Sequence, residues 1–374
     1  MSCYLHSPVL HSCLGESLTE AVAAVHSNQA PHTQPFTLNE RLLEIPYFAL
    51  KQQRQPIERL RLIIEQLSNQ YQANFSEQLL IIASSGLDIL LHEQNTFAKG
   101  GFATTDSTPL DRIASLLQQE YGFKASFAIN TACSSAANAL LYGSLLLKQN
   151  LYAGVTVVSF EPPSTVIQQG FAALELTSHS GLYRPFYPDS DGLILGEVYA
   201  AAILSNEEKT HSLCRVLGGY SACDTTSVTG TCEDGSHIYS VIEQALKQAG
   251  CLAEDIDLIK LHGTATAAND RAERNGTLSF LQQANAPALC TLKQWLGHGL
   301  GACGLSETLL LSACLQQGLL PTPRHSYQTE MLTLQQSPQW RKKDSLILAN
   351  FFGFGGNNAS LVLQTHCQGQ ESCK

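Results

Sequence analysis

Ser126-Phe127-Ala128-Ile129-Asn130-Thr131-Ala132-Cys133-Ser134-Ser135 is the stretch on which the fold reading turns. The apolar run over 126–129 reads as a short strand, and residues 135–147, rich in Ala and Leu, as the helix after it. Between them Asn130-Thr131-Ala132-Cys133 makes a sharp turn, so the unit is strand, turn, helix with a cysteine at the turn. A thiol there sits near the positive end of the helix dipole, which favours the nucleophilic thiolate. Taken alone, Cys133 also reads as a small buried hydrophobe, because free cysteine is among the most buried residue types.

The neighbouring segments place that unit in a layered α/β protein. A helix is expected to start at Pro56, a residue suited to a first turn, with Ile57, Leu60, Ile64 and Leu67 on one face. The run over 78–83, closed by Ser84-Ser85-Gly86, predicts a buried strand, and further strands are expected over 155–160 and 198–204. A helix over 236–249 ends at Gly250, and a strand over 256–261 ends on His262. Strands over 346–350 and 360–363 flank the turn Gly353-Phe354-Gly355-Gly356. A polar stretch at 205–212 divides the chain into two α/β halves, 1–207 with Cys133 and 208–374 with His262, Lys293 and His298.

Composition limits the function classes. A chain of 374 residues with 44% hydrophobic and 14% charged residues has ample apolar sequence for a large core. A net charge of −10 argues against general nucleic-acid binding, and the run Arg341-Lys342-Lys343 reads as a solvated turn before a strand. The twelve cysteines include no C-x-x-C pair and no Cys/His cluster at zinc spacing, so reduced thiols and no metal are expected. Residues 1–11 lack the pattern of a signal peptide, and no apolar run reaches 18 residues. A cytoplasmic protein without a membrane span is the resulting expectation.

Three further motifs follow Cys133 in order. His262-Gly263-Thr264-Ala265-Thr266 puts a histidine at a strand end with glycine turning the backbone behind it. Lys293-x-x-x-Gly297-His298-x-x-Gly301-Ala302-x-Gly304, with Glu307 beyond it, packs small residues around a lysine and a second histidine. Asn350-Phe351-Phe352-Gly353-Phe354-Gly355-Gly356 is a turn able to aim backbone N–H groups at an oxyanion. Together these resemble the elongating beta-ketoacyl-acyl-carrier-protein synthases of the thiolase superfamily, whose pattern is T-A-C-[AS], H-G-T-x-T, K-x-x-x-G-H-x-x-G-A-x-G and F-G-F-G-G. Arg184-Pro185-Phe186, Asp191-Gly192, Gly196-Glu197 and Asn269-Asp270-x-x-Glu273 are similar to the segments between those motifs.

The resemblance implies a five-layer αβαβα fold of two similar halves and a decarboxylative Claisen condensation. It assigns Cys133 as acyl-accepting nucleophile, the N–H groups of Cys133 and Phe354 as oxyanion hole, and Phe354 as gate. It assigns His262 and His298 as donors to the enolate, Lys293 as their electrostatic bias, and Glu273 and Glu307 as supports. Cys303 is expected to be an inert packing residue. No bound cofactor is implied, since phosphopantetheine arrives on an acyl carrier protein, and the partners would be that carrier and a second subunit, in a homodimer or a heterodimer.

The chain departs from the family at Tyr4-Leu5-His6-Ser7-Pro8-Val9-Leu10, in a short stretch between Gly86 and Asn130, at Gly196-Glu197-Val198-Tyr199-Ala200, at Phe351 and at Asn357-Asn358. These departures bear on substrate length and partner choice. They leave a second reading open, a chain-length-factor-like subunit that shapes the acyl tunnel of a partner and performs little condensation itself. Intact Cys133, His262, Lys293 and His298 favour an active synthase.

Overall fold

A computed structural model describes residues 3–38, 43–86, 89–90, 93, 109–209, 212–227, 231–324, 332–342 and 344–366. Lys343 and most of the short stretch after Gly86 lie outside the described residues. In chain order the elements are β1 (Cys3–Ser12), α1 (Leu18–His26), β2 (Thr33–Leu38), β3 (Leu43–Phe48), α2 (Pro56–Tyr71), β4 (Gln78–Ala83), α3 (Pro109–Tyr121), β5 (Ala125–Ile129), α4 (Ser135–Lys148), β6 (Gly154–Glu161) and α5 (Thr165–Ala173). There follow β7 (Leu195–Gly196), β8 (Val198–Ser205), β9 (Ser212–Cys223), α6 (Ser236–Ala249), β10 (Leu258–Lys260), α7 (Ala267–Leu281), β11 (Ala288–Cys290), α8 (Lys293–Leu296), α9 (Cys303–Gln316), β12 (Asp344–Phe352) and β13 (Asn357–His366).

Alternation along the strands sorts the molecule into layers, because successive side chains leave a strand on opposite faces. In β4, Leu79 and Ile81 join a central core while Leu80 and Ile82 join an outer one. β8 repeats this, with Ala202 and Leu204 central and Ala201 and Ile203 outer. In the second half Ile347 and Leu361 are central, whereas Leu348 and Val362 face a third cluster beneath α6 and α7. The central layer is α4 against α9, and α2 and α3 cover the far face of the first half. The five-layer αβαβα fold expected from the resemblance is therefore present.

The two halves have one topology. The ten-stranded sheet runs β11-β10-β12-β13-β9-β1-β8-β6-β4-β5. Outward from its middle, each half has two antiparallel steps followed by two parallel ones. The division expected at 207/208 falls between β8 and β9. Beyond packing through buried helices, the halves are joined edge to edge, Cys3 pairing with Val216 and Leu5 with Cys214.

Burial explains which helices show a face in the sequence. α2 starts with Pro56 at its first turn, buries Leu60, Ile63, Ile64 and Leu67, and leaves its other side in water. α9 is buried on every side from Cys303 to Leu315, so it carries no amphipathic stripe. Close approach sets its first turn, since a Cβ on Gly304 would lie 2.0 Å from the backbone nitrogen of Ala137 in α4. Fully burying one leucine contributes about 1.5–3 kcal/mol, so these two helices hold the halves together mainly through apolar contact. The strand expected over 256–261 is ladder-paired only at Leu258–Lys260, with Asp257 and Leu261 still bonded to neighbouring strands through Leu346 O and Cys290 O.

Candidate active site

Cys133 lies at the turn from β5 into α4, as the local sequence predicts. The preceding Ala132 holds a left-handed backbone at φ 51, a strained conformation for a residue with a Cβ. Side chains of the following helix brace it: Ser135 Oγ accepts from Thr131 N–H at 2.9 Å and donates to Ala132 O at 2.6 Å, and Asn138 Nδ2 donates to Thr131 Oγ1 at 2.8 Å. Cys133 is 5% exposed. Burial pushes its thiol up to about 11, against the pull of Lys293 and of backbone N–H groups at Phe354 and at Cys133 itself. The helix dipole was expected to favour the thiolate, but in this enclosed site desolvation outweighs it and the resting group is a thiol.

His262 follows β10 after one residue, Leu261. Glu273, one helical layer away on α7, accepts the N–H of His262 at 2.5 Å and that of Gly263 at 2.8 Å, fixing the backbone on which the imidazole stands. Tyr183 donates its hydroxyl to Gly263 O at 3.2 Å, and Ser190 Oγ donates to Ala265 O at 2.7 Å, so the residues on either side of Arg184-Pro185-Phe186 brace the same loop. His262 Nδ1 is buried without a protein partner. The His262 and His298 rings meet edge to face with centroids 5.4 Å apart.

His298 is pinned by its main chain: its N–H donates to Ile194 O at 2.7 Å and its carbonyl accepts from Gly196 N–H at 3.1 Å. Its Nδ1 lies 3.3 Å from Cys303 Sγ. Both imidazoles sit well below the usual histidine range, chiefly through burial and then through the nearby Lys293 and Lys260 charges. They are neutral and able to donate a proton-bearing nitrogen.

Lys293 Nζ pairs with Glu307 Oε1 at 2.7 Å, both side chains fully enclosed. Sequence reasoning missed Lys260, whose Nζ pairs with Glu307 Oε2, donates to Asn350 O at 2.7 Å and lies 3.6 Å over the Phe351 ring. Two buried cations therefore share one carboxylate. Burial works to raise Glu307, but the two lysines hold it below the ordinary carboxylate range. The signal available in the sequence was a lysine inside the otherwise apolar strand Leu258-Ile259-Lys260-Leu261.

Glu161, at the end of β6, was likewise unforeseen. It accepts from Gly86 N–H at 3.0 Å, Gly301 N–H at 3.1 Å and Ser85 Oγ at 2.7 Å, tying the His298 segment to the first half, and burial pushes it up to about 7.

Cys133, His262, His298 and Phe354 line one cavity of about 80 Å³, closed on another side by Phe171 and Leu176. Phe354 stacks on Phe171 at 5.5 Å and 13°. The glycine turn is seated on the chain beside it, because a Cβ on Gly356 would come 1.8 Å from Asp224 O. Thus the four motifs converge, with Lys293, Glu307 and Glu273 immediately behind the lining. Among the described residues no His, Cys, Asp and Glu cluster is placed to hold a metal, and no helix is long and apolar enough to cross a membrane. Arg341 bonds Gln339 and Lys342 pairs with Asp257 at the surface, away from the cavity.

Residues 82–210 match the family model described as Beta-ketoacyl synthase, N-terminal domain, and residues 213–326 match Beta-ketoacyl synthase, C-terminal domain. The 3-oxoacyl-(acyl-carrier-protein) synthase 2 of Vibrio cholerae is 30% identical over 278 residues, 69% of this chain and 67% of that protein. Its namesake in Rhizobium meliloti is 31% identical over 261 residues, 64% of this chain and 60% of that protein. A ketosynthase structure from Xenorhabdus doucetiae, ApeO in complex with its chain length factor ApeC, superposes with a TM-score of 0.82 at 23% identity, covering 97% of this chain and 98% of that one. At that identity the likeness is one of fold.

Proposed function

The chain belongs to the beta-ketoacyl synthase family, and from that premise we propose that it is an active elongating synthase of the Cys-His-His type. The observation that carries this reading is the convergence of Cys133, both neutral histidines and the Phe354 turn on one cavity. In the first half-reaction the Cys133 sulfur attacks an acyl thioester, the S–H proton leaves with the departing phosphopantetheine thiol, and the acyl group becomes a Cys133 thioester. The N–H groups of Cys133 and Phe354, which already approach the sulfur, stabilise the tetrahedral oxyanion.

In the second half-reaction a malonyl thioester loses carbon dioxide, and the enolate carbon attacks the Cys133 thioester to give a product two carbons longer. The Cys133 sulfur leaves and takes up a proton. Neutral His262 and His298 donate to the enolate oxygen, and Lys293 keeps them neutral by opposing a second positive charge. No cofactor need reside in the protein, because the phosphopantetheine is the carrier protein's. The partners on this reading are an acyl carrier protein and a second synthase subunit, identical or not.

Intact mass after incubation with acyl- and malonyl-carrier protein tests the proposal. Wild type should gain one acyl group and release ketoacyl product, while Cys133→Ala gains none. Should the protein stay unmodified, and should Cys133→Ala leave product formation with a co-encoded synthase unchanged, the role reverts to shaping a partner's tunnel.

A further inference from the structure

Cys303 opens α9 as Cys133 precedes α4, so the repeated architecture presents a thiol at the same end of each central helix. The family pattern leaves this position unspecified, and in the sequence it reads as packing. In the structure it does more than fill space. Its Sγ lies 3.3 Å from His298 Nδ1, and both groups are enclosed, Cys303 at 1% exposure and His298 at 2%.

We propose that Cys303 is a positioning residue whose S–H donates to His298 Nδ1 and so holds the imidazole in the tautomer with its proton on Nε2. A neutral imidazole has one donor and one acceptor nitrogen, and the hydrogen bond at one fixes the role of the other. Burial pushes the Cys303 thiol well above its usual range, so it keeps the proton it donates. The contact cannot drift, because Gly304 packs against Ala137 with no room for a Cβ and the His298 main chain is bonded to Ile194 and Gly196. This inference rests on the proposed condensation, in which His298 must offer an N–H to the enolate oxygen, and Nε2 is the nitrogen left for that task.

The test uses the full chain with 15N-labelled histidine. Long-range proton–nitrogen correlation at neutral pH should show His298 protonated at Nε2 in wild type, a mixture of tautomers in Cys303→Ala, and the wild-type pattern in Cys303→Ser, whose hydroxyl donates in the same place. Malonyl decarboxylation by the acylated enzyme should fall in kcat about 10- to 100-fold in the alanine variant with KM held, the size found when a metal-bound histidine loses the partner that fixes its tautomer. Serine should recover most of it. A wild-type His298 protonated at Nδ1, or an unchanged Nε2 pattern in Cys303→Ala whatever its activity, overturns the inference. Failure of wild type to acylate or decarboxylate would instead sink the condensation reading, and the tautomer pattern would still judge Cys303.

Discussion

The first half and the second half share strand order, strand direction and a central helix, but they meet the cavity with different chemistry. The first half delivers one thiol on a strained turn, with Phe171 and Leu176 beside it. From the second half come two histidines, two lysines and two of the carboxylates that hold them. Repetition thus supplies the scaffold, whereas the asymmetry of the residues that face each other across α4 and α9 supplies reactivity. The lysines come only from the second half, whereas the first half brings the Cys133 thiol and one carboxylate, Glu161, that reaches across to Gly301.

Removing the shared carboxylate should break this arrangement most severely. Glu307→Ala strands Lys260 and Lys293 as unpaired buried cations, which should cost about 3–5 kcal/mol of stability. Denaturant unfolding would reveal it, and a loss under 1 kcal/mol would mean the lysines find other partners. Next in size, His298→Ala should lower malonyl decarboxylation about 10²- to 10³-fold while Cys133 still takes up an acyl group. Equal loss of both steps would show that the division of labour between the halves is wrong.

A finer measure is the acid side of the pH profile. Burial, Lys293 and Lys260 all disfavour the imidazolium, so His298 stays neutral further into acid and the acid limb of decarboxylation should lie below pH 6.5. Lys260→Met withdraws one opposing cation, which must raise the imidazole pKa and move that limb to higher pH. An unmoved limb, recorded as rate against pH for both proteins, would exclude Lys260 from the electrostatics of the site. The smallest effect belongs to the first half's wall. Phe171→Ala removes the ring that stacks on Phe354, worth about 0.5–1.5 kcal/mol, and should speed Cys133 acylation by bulky chains up to about tenfold by freeing the Phe354 ring. Slower acylation would make Phe171 a substrate contact instead.

How much could be read in advance followed local chemistry. The unit from 126 to 147 was legible because its strand, turn and helix each announce themselves, and β4 matches its expected bounds residue for residue. α9 escaped because complete burial erases the periodicity by which helices are recognised. The three-stranded sheet of β2, β3 and β7 and the two-residue β7 itself are fixed by tertiary pairing, with too few residues for a pattern. At the site, residues within motifs could be placed, while Lys260 and Glu161 could not, because each works through partners about 50 to 150 residues away in sequence. The state of the Cys133 thiol was misjudged for a related reason: the helix end is visible in the sequence, but the depth of burial is not.

The seam between β1 and β9 has a consequence for how the chain is made. β1 completes the sheet only by pairing with β8 and β9, which leave the ribosome about 200 residues later, some 10–40 s at ordinary rates of synthesis. During that interval its apolar side chains Leu5, Val9 and Leu10 have no strand to lie between. Until β8 and β9 have been made, both edges of β1 lack their native partners, and edges of that kind are where wrong strand pairing starts.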